Sequence, residues 1–215
     1  MEKIEAHEIT HAFDDSGINY NSEGMSAQLY DNKTVEAFHK EATCLRDQYS
    51  KYSIADSQVD GNSTLGENLA DHGGLSMALE AYNQWRSKNK DHRLPALPFD
   101  DMQLFFIGYA LPWCSRHTDK HTKNQVINDE HAPVWFWVLG PLSNSQAFSD
   151  TFQCPIGSRM NPKDKCTVVA IDSLIDKLVV VSSQDIFLEI YLFLKTESFC
   201  HGWIDFYLSL TSFLY

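Results

Sequence analysis

Two histidines four residues apart, with a glutamate directly after the first, form the pentapeptide His7-Glu8-Ile9-Thr10-His11. Residues four apart lie on one face of an α-helix, so both imidazoles can bind one Zn²⁺ while Glu8, beside the open coordination position, handles water. The other interpretation is a surface helix that carries two histidines and a solvated glutamate. A third ligand is needed to decide between them.

A candidate third ligand lies in a second segment predicted to be helical, Gly66-Glu67-Asn68-Leu69-Ala70-Asp71. Catalytic zinc sites commonly use two histidines and one carboxylate and leave the fourth position to water, so Glu67 fits. Asp71 lies one helical turn further on, where its carboxylate can accept the N–H of a zinc-bound histidine. However, Thr64-Leu65-Gly66-Glu67 also has the form of a capping box, which would make Glu67 a helix-start residue only.

Together, these segments resemble the neprilysin and endothelin-converting-enzyme family of zinc endopeptidases. The resemblance continues in order from residue 7 to about residue 168. It rests on His7-Glu8-Ile9-Thr10-His11-Ala12-Phe13-Asp14-Asp15, Gly66-Glu67-Asn68-Leu69-Ala70-Asp71-His72-Gly73-Gly74-Leu75, Phe105-Phe106, Trp113-Cys114, Asp129-Glu130-His131-Ala132-Pro133, Gly140-Pro141-Leu142-Ser143-Asn144 and Met160-Asn161-Pro162-Lys163-Asp164-Lys165-Cys166.

The resemblance implies a mainly α fold, a thermolysin-like zincin catalytic subdomain that is rich in helix, has little strand and is truncated at its amino end. It implies one Zn²⁺ per chain, held by His7, His11 and Glu67. Glu8 would be the general base for the water that attacks a peptide bond.

Three further residues are expected to support this chemistry. Asp71 would fix the tautomer of a zinc-bound histidine, and His131 would stabilise the oxyanion that forms in the transition state. Both are therefore predicted to be catalytic. Asp14 could be another partner of a zinc-bound histidine or a turn carboxylate that ends the helix, and both interpretations stay open.

The cysteines and glycosylation sequons bear on location. The resemblance implies a disulfide between Cys44 and Cys166, and free thiols at Cys114 and Cys154. Asn32-Lys33-Thr34 and Asn62-Ser63-Thr64 are candidate glycosylation sites. By the resemblance the protein belongs at the extracellular face of the plasma membrane or is secreted. The family's membrane anchor lies on the amino-terminal side of the zinc helix, and no signal or transmembrane segment is recognisable in this sequence.

Composition limits the partners. The 215 residues include 17 basic and 29 acidic side chains, so the net charge of −12 argues against nucleic acid and anionic membranes as partners. Peptide substrates remain compatible. A 43% hydrophobic content predicts one globular domain, and we place it at residues 1–168, followed by an apolar tail at residues 169–215 that has no counterpart in the family.

The hydrophobic pattern predicts helices over residues 34–52, 64–88 and 100–114, and a short helix over 143–152. Residues 17–33, 57–63 and 120–129 are polar and are predicted to be loops. Gly73-Gly74 interrupts the second of these helices, which indicates either close packing against another helix or a kink.

The chain also departs from the family pattern. Trp137 stands where the family has an arginine that grips substrate carbonyl or carboxylate groups, so bidentate recognition is not available there. The family's substrate-binding strand and helical lid precede the zinc helix and have no counterpart here.

Two functional hypotheses follow. The first is a zinc-dependent metalloendopeptidase that hydrolyses oligopeptides, which the presence of Glu8 favours. The alternative is a catalytically inactive fragment or decoy that acts as a peptide- or partner-binding module, which the missing strand, lid and arginine favour.

Overall fold

The computed structural model describes residues 2–89, residue 94 and residues 97–167. Its α-helices, in chain order, are α1 (Glu2–Thr10), α2 (Asn32–Tyr49), α3 (Leu65–Lys88), α4 (Asp101–Ala110), α5 (Asp119–Asn128), α6 (Val134–Asn144) and α7 (Gln146–Thr151). Strands β1 (Ser53–Ile54) and β2 (Ser57–Gln58) form a small antiparallel hairpin. The prediction of a helix-rich fold with little strand is therefore confirmed. The predicted tail, residues 169–215, lies outside the described residues.

Two hydrophobic clusters form the core, and helices α3 and α6 contribute to both. The first cluster packs α2 against the amino-terminal half of α3, with Leu45, Tyr49 and Leu69 at its centre. The second packs α4 and α7 against the rest of α3, around Leu75 and Phe106. Helix α1 packs against α3. Within the described ranges, no helix is both long and apolar enough to cross a membrane.

Helix α2 shows why its sequence pattern was informative. Phe38, Ala42, Leu45 and Tyr49 recur at three- and four-residue spacing and are all buried. The helix begins at Asn32 rather than at residue 34, because the Asp31 side chain accepts a hydrogen bond from Thr34 N at 2.7 Å and caps the first turn.

The prediction of a loop over residues 120–129 is wrong, since helix α5 occupies most of that segment. Thr118 caps the helix through a hydrogen bond from His121 N at 3.3 Å, and Asp119 places negative charge in the first turn. Thr122 is the buried residue of this helix. Because so few of its side chains are buried, this helix has no apolar face, and the spacing of its apolar residues could not predict it.

The predicted loop over residues 57–63 is also partly wrong, because it begins with strand β2. Ala55 and Asp56 connect the two strands with φ values of 52° and 56°, the left-handed backbone that a two-residue hairpin turn requires. Neither residue is the glycine that usually signals such a turn. The pair Gly73 and Gly74 causes no break in α3, and both residues are buried, in agreement with close packing.

The disulfide between Cys44 and Cys166 is present and joins residues 122 positions apart. It ties α2 to the carboxyl end of the described domain. On the chain-entropy model, closing a loop of this length stabilises the fold by about 4–5 kcal/mol. Cys154 is buried with a free thiol and is not bonded to Cys114.

Helix α6 contains Pro141, which has no N–H and leaves the carbonyl of Trp137 without its helical donor. The Tyr109 hydroxyl donates to that carbonyl at 3.2 Å, and the Tyr49 hydroxyl donates to the carbonyl of Phe136 at 3.1 Å. The Tyr109 hydroxyl therefore replaces the donor that the proline lacks, and the Tyr49 hydroxyl donates to the carbonyl just before it. Gly140 makes this approach possible, because a Cβ there would lie 2.0 Å from the Tyr49 hydroxyl oxygen.

We expect Gly140→Ala to destabilise the domain by about 1–3 kcal/mol, because the added methyl group displaces the Tyr49 hydroxyl from its carbonyl. The measurement is the free energy of unfolding in urea. Gly108→Ala is the matched control: a Cβ at this helical position meets nothing within 4 Å, so the substitution should be neutral or stabilise by up to about 1 kcal/mol. Equal effects of the two substitutions would contradict this account of Gly140.

Candidate metal centre

The two histidines of the pentapeptide lie side by side where α1 packs against α3. His7 is in the last turn of α1, and His11 begins a 3₁₀ turn, His11–Phe13, that directly continues the helix. Their Nε2 atoms are 3.2 Å apart and their ring centroids are 4.8 Å apart. The four-residue spacing therefore brings both imidazoles to one point, as predicted.

Glu67, from the first turn of α3, completes this group. Its Oε2 atom lies 3.2 Å from His7 Nε2 and 3.6 Å from His11 Nε2. The capping-box interpretation of Glu67 is wrong, because the backbone N–H of Thr64 donates to the Asp60 carbonyl and the Thr64 side chain makes no cap hydrogen bond. Glu67 faces the histidines and not the start of its own helix.

These three atoms fit a tetrahedral cation. Zinc bonds of 2.0–2.2 Å in tetrahedral geometry separate neighbouring ligand atoms by about 3.3–3.6 Å. The separations among His7 Nε2, His11 Nε2 and Glu67 Oε2 are 3.2, 3.2 and 3.6 Å. Glu67 Oε2 is also buried without a hydrogen-bond donor in the described part of the chain, which is costly for a carboxylate unless a cation or charged partner compensates. The donor set is therefore suited to Zn²⁺.

Carboxylates orient both imidazoles toward this point. His7 Nδ1 lies 3.3 Å from Asp71 Oδ1, and His11 Nδ1 lies 2.7 Å from Asp14 Oδ2. Both aspartates are buried. A carboxylate at Nδ1 keeps the proton there and leaves the lone pair of Nε2 available to a metal.

Asp14 makes the contacts that both of the open interpretations require. Its Oδ1 accepts hydrogen bonds from the backbone N–H groups of Ser16 and Gly17, which ends the helical path, while its Oδ2 holds His11. Gly17 is needed for this turn, because a Cβ at that residue would lie 1.9 Å from the His11 carbonyl oxygen. The turn that stops the helix therefore also positions the second histidine.

His131 reaches the same group from the segment that precedes α6. Its Nε2 lies 3.2 Å from Glu67 Oε2, and its Nδ1 lies 2.9 Å from Asp129 Oδ1, which also accepts the His131 backbone N–H. Asp129 was not singled out from the sequence as a site residue. The signal that could have found it is the two-residue spacing to His131, which allows a local side-chain to backbone hydrogen bond.

The electrostatics of the site favour positive charge. Burial alone would lower the pKa of His7, but the adjacent carboxylates of Asp71 and Glu67 outweigh burial and raise it to about 9. Burial likewise acts to raise the pKa of Glu67, but the adjacent imidazoles of His7, His131 and His11 lower it. A proton or a metal cation is thus held strongly between the same atoms.

Glu8 and Trp137 complete the residues singled out from the sequence. The Glu8 side chain is exposed on α1, next to His7. The indole of Trp137 packs against the His131 ring, with centroids 5.3 Å apart, and its N–H donates to the Ala132 carbonyl. An aromatic ring, and not a cation, therefore lies behind His131.

A buried polar network lies behind α3 and holds it in place. The Asn144 amide donates to His72 Nε2 and to Gln48 Oε1, both at 2.8 Å, and its oxygen accepts the backbone N–H of Cys166 at 3.0 Å. His72 in turn donates from Nδ1 to the Asn68 carbonyl at 2.7 Å. One amide therefore links α2, α3 and the disulfide to α6, next to the residue that holds His7.

Comparison with known proteins assigns the chain to a family. The family model described as Peptidase family M13 matches residues 1–168. The chain belongs to peptidase family M13.

Individual members of M13 show strong similarity over the same region. The chain is 48% identical over 169 residues to an endothelin-converting enzyme homolog from Locusta migratoria, which covers 78% of this chain and 23% of that protein. It is 47% identical over 166 residues to endothelin-converting enzyme 1 from Homo sapiens, covering 77% of this chain and 22% of the enzyme. The M13 chain thus spans less than a quarter of the length of these relatives.

Solved structures agree with the fold. The zinc metalloprotease Zmp1 of Mycobacterium tuberculosis, in complex with an inhibitor, superimposes with a TM-score of 0.72 at 27% identity, covering 77% of this chain and 26% of that one. A Haemonchus galactose-containing glycoprotein complex gives a TM-score of 0.70 at 31% identity, covering 76% and 28% of the two chains. The zincin fold class predicted from the sequence is therefore confirmed.

The network around His72 predicts a pH dependence of stability. Burial lowers the pKa of His72, although the Asn68 carbonyl and the Asp71 charge partly oppose it. A proton on Nε2 would face the Asn144 N–H, and Asn144 cannot turn over without losing Cys166. The unfolded chain therefore takes up this proton first, so the stability from His72 is complete above its unfolded pKa of about 6.5 and falls as the pH drops below it.

We expect the free energy of unfolding of the native chain to fall by up to about 1.4 kcal/mol per pH unit below pH 6.5 through this group. His72→Asn should remove this pH dependence of the unfolding free energy. The loss of packing lowers that free energy by the same amount at every pH. Urea unfolding of both proteins at pH 7.5 and 5.5 measures the difference. A stability gap between them that stays the same at both pH values would contradict the role of His72.

The metal centre predicts a specific effect of Glu67→Ala. We expect the affinity for Zn²⁺ to fall by more than about 100-fold, because even the loss of a carboxylate that only orients a ligand costs 10- to 100-fold. Glu80→Ala removes a carboxylate from the same helix away from the site and serves as the control. Equilibrium dialysis with zinc analysis measures both proteins, and unchanged zinc binding in a folded Glu67→Ala protein would rule out Glu67 as a ligand.

Proposed function

We propose that this M13 chain carries the catalytic centre of a zinc-dependent metalloendopeptidase that hydrolyses peptide bonds of oligopeptides. The observation that supports this most directly is the convergence of His7 Nε2, His11 Nε2 and Glu67 Oε2 at the separations of a tetrahedral site. Those three residues would hold one Zn²⁺ and leave a coordination position open. Bound there, the ion supplies Lewis acidity and lowers the pKa of water to about 7.

Glu8 is the general base of the proposed reaction. It directly follows His7 and is exposed to solvent, so water can reach its carboxylate. The carboxylate takes a proton from the attacking water and returns it to the departing amine. Asp71 and Asp14 act through the histidines, because they hold the Nδ1 protons and so orient the rings.

His131 is the proposed donor to the oxyanion that forms as the peptide carbonyl is attacked. Its position beside Glu67 brings Nε2 to the edge of the metal centre, and Asp129 holds the ring through Nδ1 and the backbone. A donor fixed in this way stabilises charge that develops only in the transition state.

Substrate recognition is expected to differ from the family pattern at Trp137. Because the indole N–H is engaged by Ala132, this residue presents an aromatic surface beside His131 and no cation. A substrate carboxylate would therefore find no bidentate partner at this position.

An extracellular or secreted location is proposed on two grounds. The Cys44–Cys166 disulfide is of a kind that persists in oxidising compartments. Asn32 and Asn62, the candidate glycosylation sites, are both exposed.

We expect Glu8→Gln to keep its zinc but to lower kcat by at least about 100-fold, because an amide cannot accept the proton of water. Zinc-dependent cleavage of a mixed peptide library, followed by mass spectrometry, is the measurement. Glu5→Gln, an exposed change on the same helix, is the control. If Glu8→Gln and the native protein cleave peptides at the same rate, Glu8 is not the base.

The same assay tests the alternative function, a catalytically inactive fragment or decoy that acts as a peptide- or partner-binding module. A native chain that binds zinc and peptides but cleaves none of them would be a peptide-binding module, and the peptidase proposal would be rejected for this polypeptide.

A further inference from the structure

A second group of possible metal ligands adjoins the first and shares one residue with it. The ligand atoms of Glu67, Glu130 and His131 all lie within 4.8 Å of one another. Glu130 is exposed, whereas Glu67 and His131 are half-buried, so the group opens to solvent on the Glu130 side. One imidazole and two carboxylates form a donor set that suits a divalent transition metal.

His131 is oriented in the same way as the two histidines of the first centre. Asp129 Oδ1 lies 2.9 Å from Nδ1, as Asp14 Oδ2 lies 2.7 Å from Nδ1 of His11. When the ring carries a single proton, a carboxylate therefore holds it at Nδ1 and Nε2 carries the lone pair, whereas a second proton would make Nε2 a donor. That lone pair is directed toward Glu67 Oε2, 3.2 Å away. Such an imidazole is arranged to bind a metal as well as to donate a proton.

Glu67 can serve two cations at once. Its Oε2 lies within 3.6 Å of three imidazole nitrogens, yet it accepts no hydrogen bond from the described residues. An ionised carboxylate has about four lone-pair sites on two oxygens, so binding one cation does not exhaust it. Paired metal ions about 3.5–4 Å apart are a common arrangement in hydrolytic enzymes.

We propose that Glu67, Glu130 and His131 form a second site for a divalent transition metal such as Zn²⁺, bridged to the first centre through the Glu67 carboxylate. The site is weaker than the first, because Glu130 is exposed and must be ordered to bind. Its functional consequence rests on the proposed function: a cation on Nε2 of His131 replaces the N–H that donates to the oxyanion. Excess zinc would thus remove that donor while the first centre stays filled.

The test is the zinc stoichiometry of the whole 215-residue chain, measured by equilibrium dialysis with Zn²⁺ alone as the probe. The native chain should bind one equivalent tightly and a second more weakly. Glu130→Gln should weaken the second equivalent at least tenfold and leave the first unchanged. Glu36→Gln, which removes an exposed carboxylate of α2, is the matched control and should bind like the native chain.

Two further variants separate this proposal from the peptidase proposal. His131→Ala should lose the second equivalent and keep the first, whereas His11→Ala should weaken the first. In Glu130→Gln and His131→Ala, tight binding of the first equivalent confirms that the domain is folded. In His11→Ala, circular dichroism confirms it. A native chain that binds a single equivalent up to about 1 mM Zn²⁺, or an unchanged second equivalent in Glu130→Gln, would overturn the second site alone. An unchanged first equivalent in His11→Ala would instead reject the metal centre of the proposed function.

Discussion

The carboxylate of Glu67 is the point on which the rest of the site depends. A buried carboxylate is stable only when positive charge or hydrogen bonds replace the water it has lost. Three imidazole nitrogens, from His7, His11 and His131, lie 3.2–3.6 Å from its Oε2. They come from α1 with the 3₁₀ turn that continues it and from the segment before α6, and Glu67 itself belongs to α3, so three separate parts of the chain meet at this atom.

Each of these imidazoles has its own aspartate. Asp71, Asp14 and Asp129 lie at the three Nδ1 atoms, so every Nε2 faces inward. The local balance is strongly negative, which is why His7 has a raised pKa and why a metal cation is the natural occupant. It also explains how one geometry suits His131 both to donate a proton and to bind a metal, since the aspartate fixes the ring in either state.

The remainder of the fold fixes the positions of α3 and α6 relative to each other. Helix α3 belongs to both hydrophobic clusters, and Asn144 connects it to α2 and to Cys166 through hydrogen bonds of 2.8–3.0 Å. In α6, the Tyr109 hydroxyl supplies the hydrogen bond that Pro141 cannot make, and the Tyr49 hydroxyl donates to the carbonyl of Phe136. Buried polar groups with all their partners present tend to fix one arrangement, because any shift leaves one of them unsatisfied.

Much of this protein could be predicted from sequence because the relevant contacts are local. The spacing of His7 and His11 determines that they share a helix face, and the apolar repeat of α2 determines which side is buried. Prediction from local sequence failed where a segment has neither an apolar repeat nor a typical turn residue. Helix α5 is almost entirely exposed, and the hairpin turn at Ala55 and Asp56 adopts a left-handed backbone without glycine.

The sequence by itself determined the family, the helix-rich class and the identity of the residues that we propose as metal ligands. Only the tertiary structure decided whether Glu67 caps its own helix or faces the histidines, and whether Asp14 ends a helix or holds His11. It also decided that Asp129 belongs to the site and that His72 meets Asn144. The physical reason is that sequence spacing fixes distances only within one element, whereas these contacts depend on how α1, α3 and α6 pack against one another.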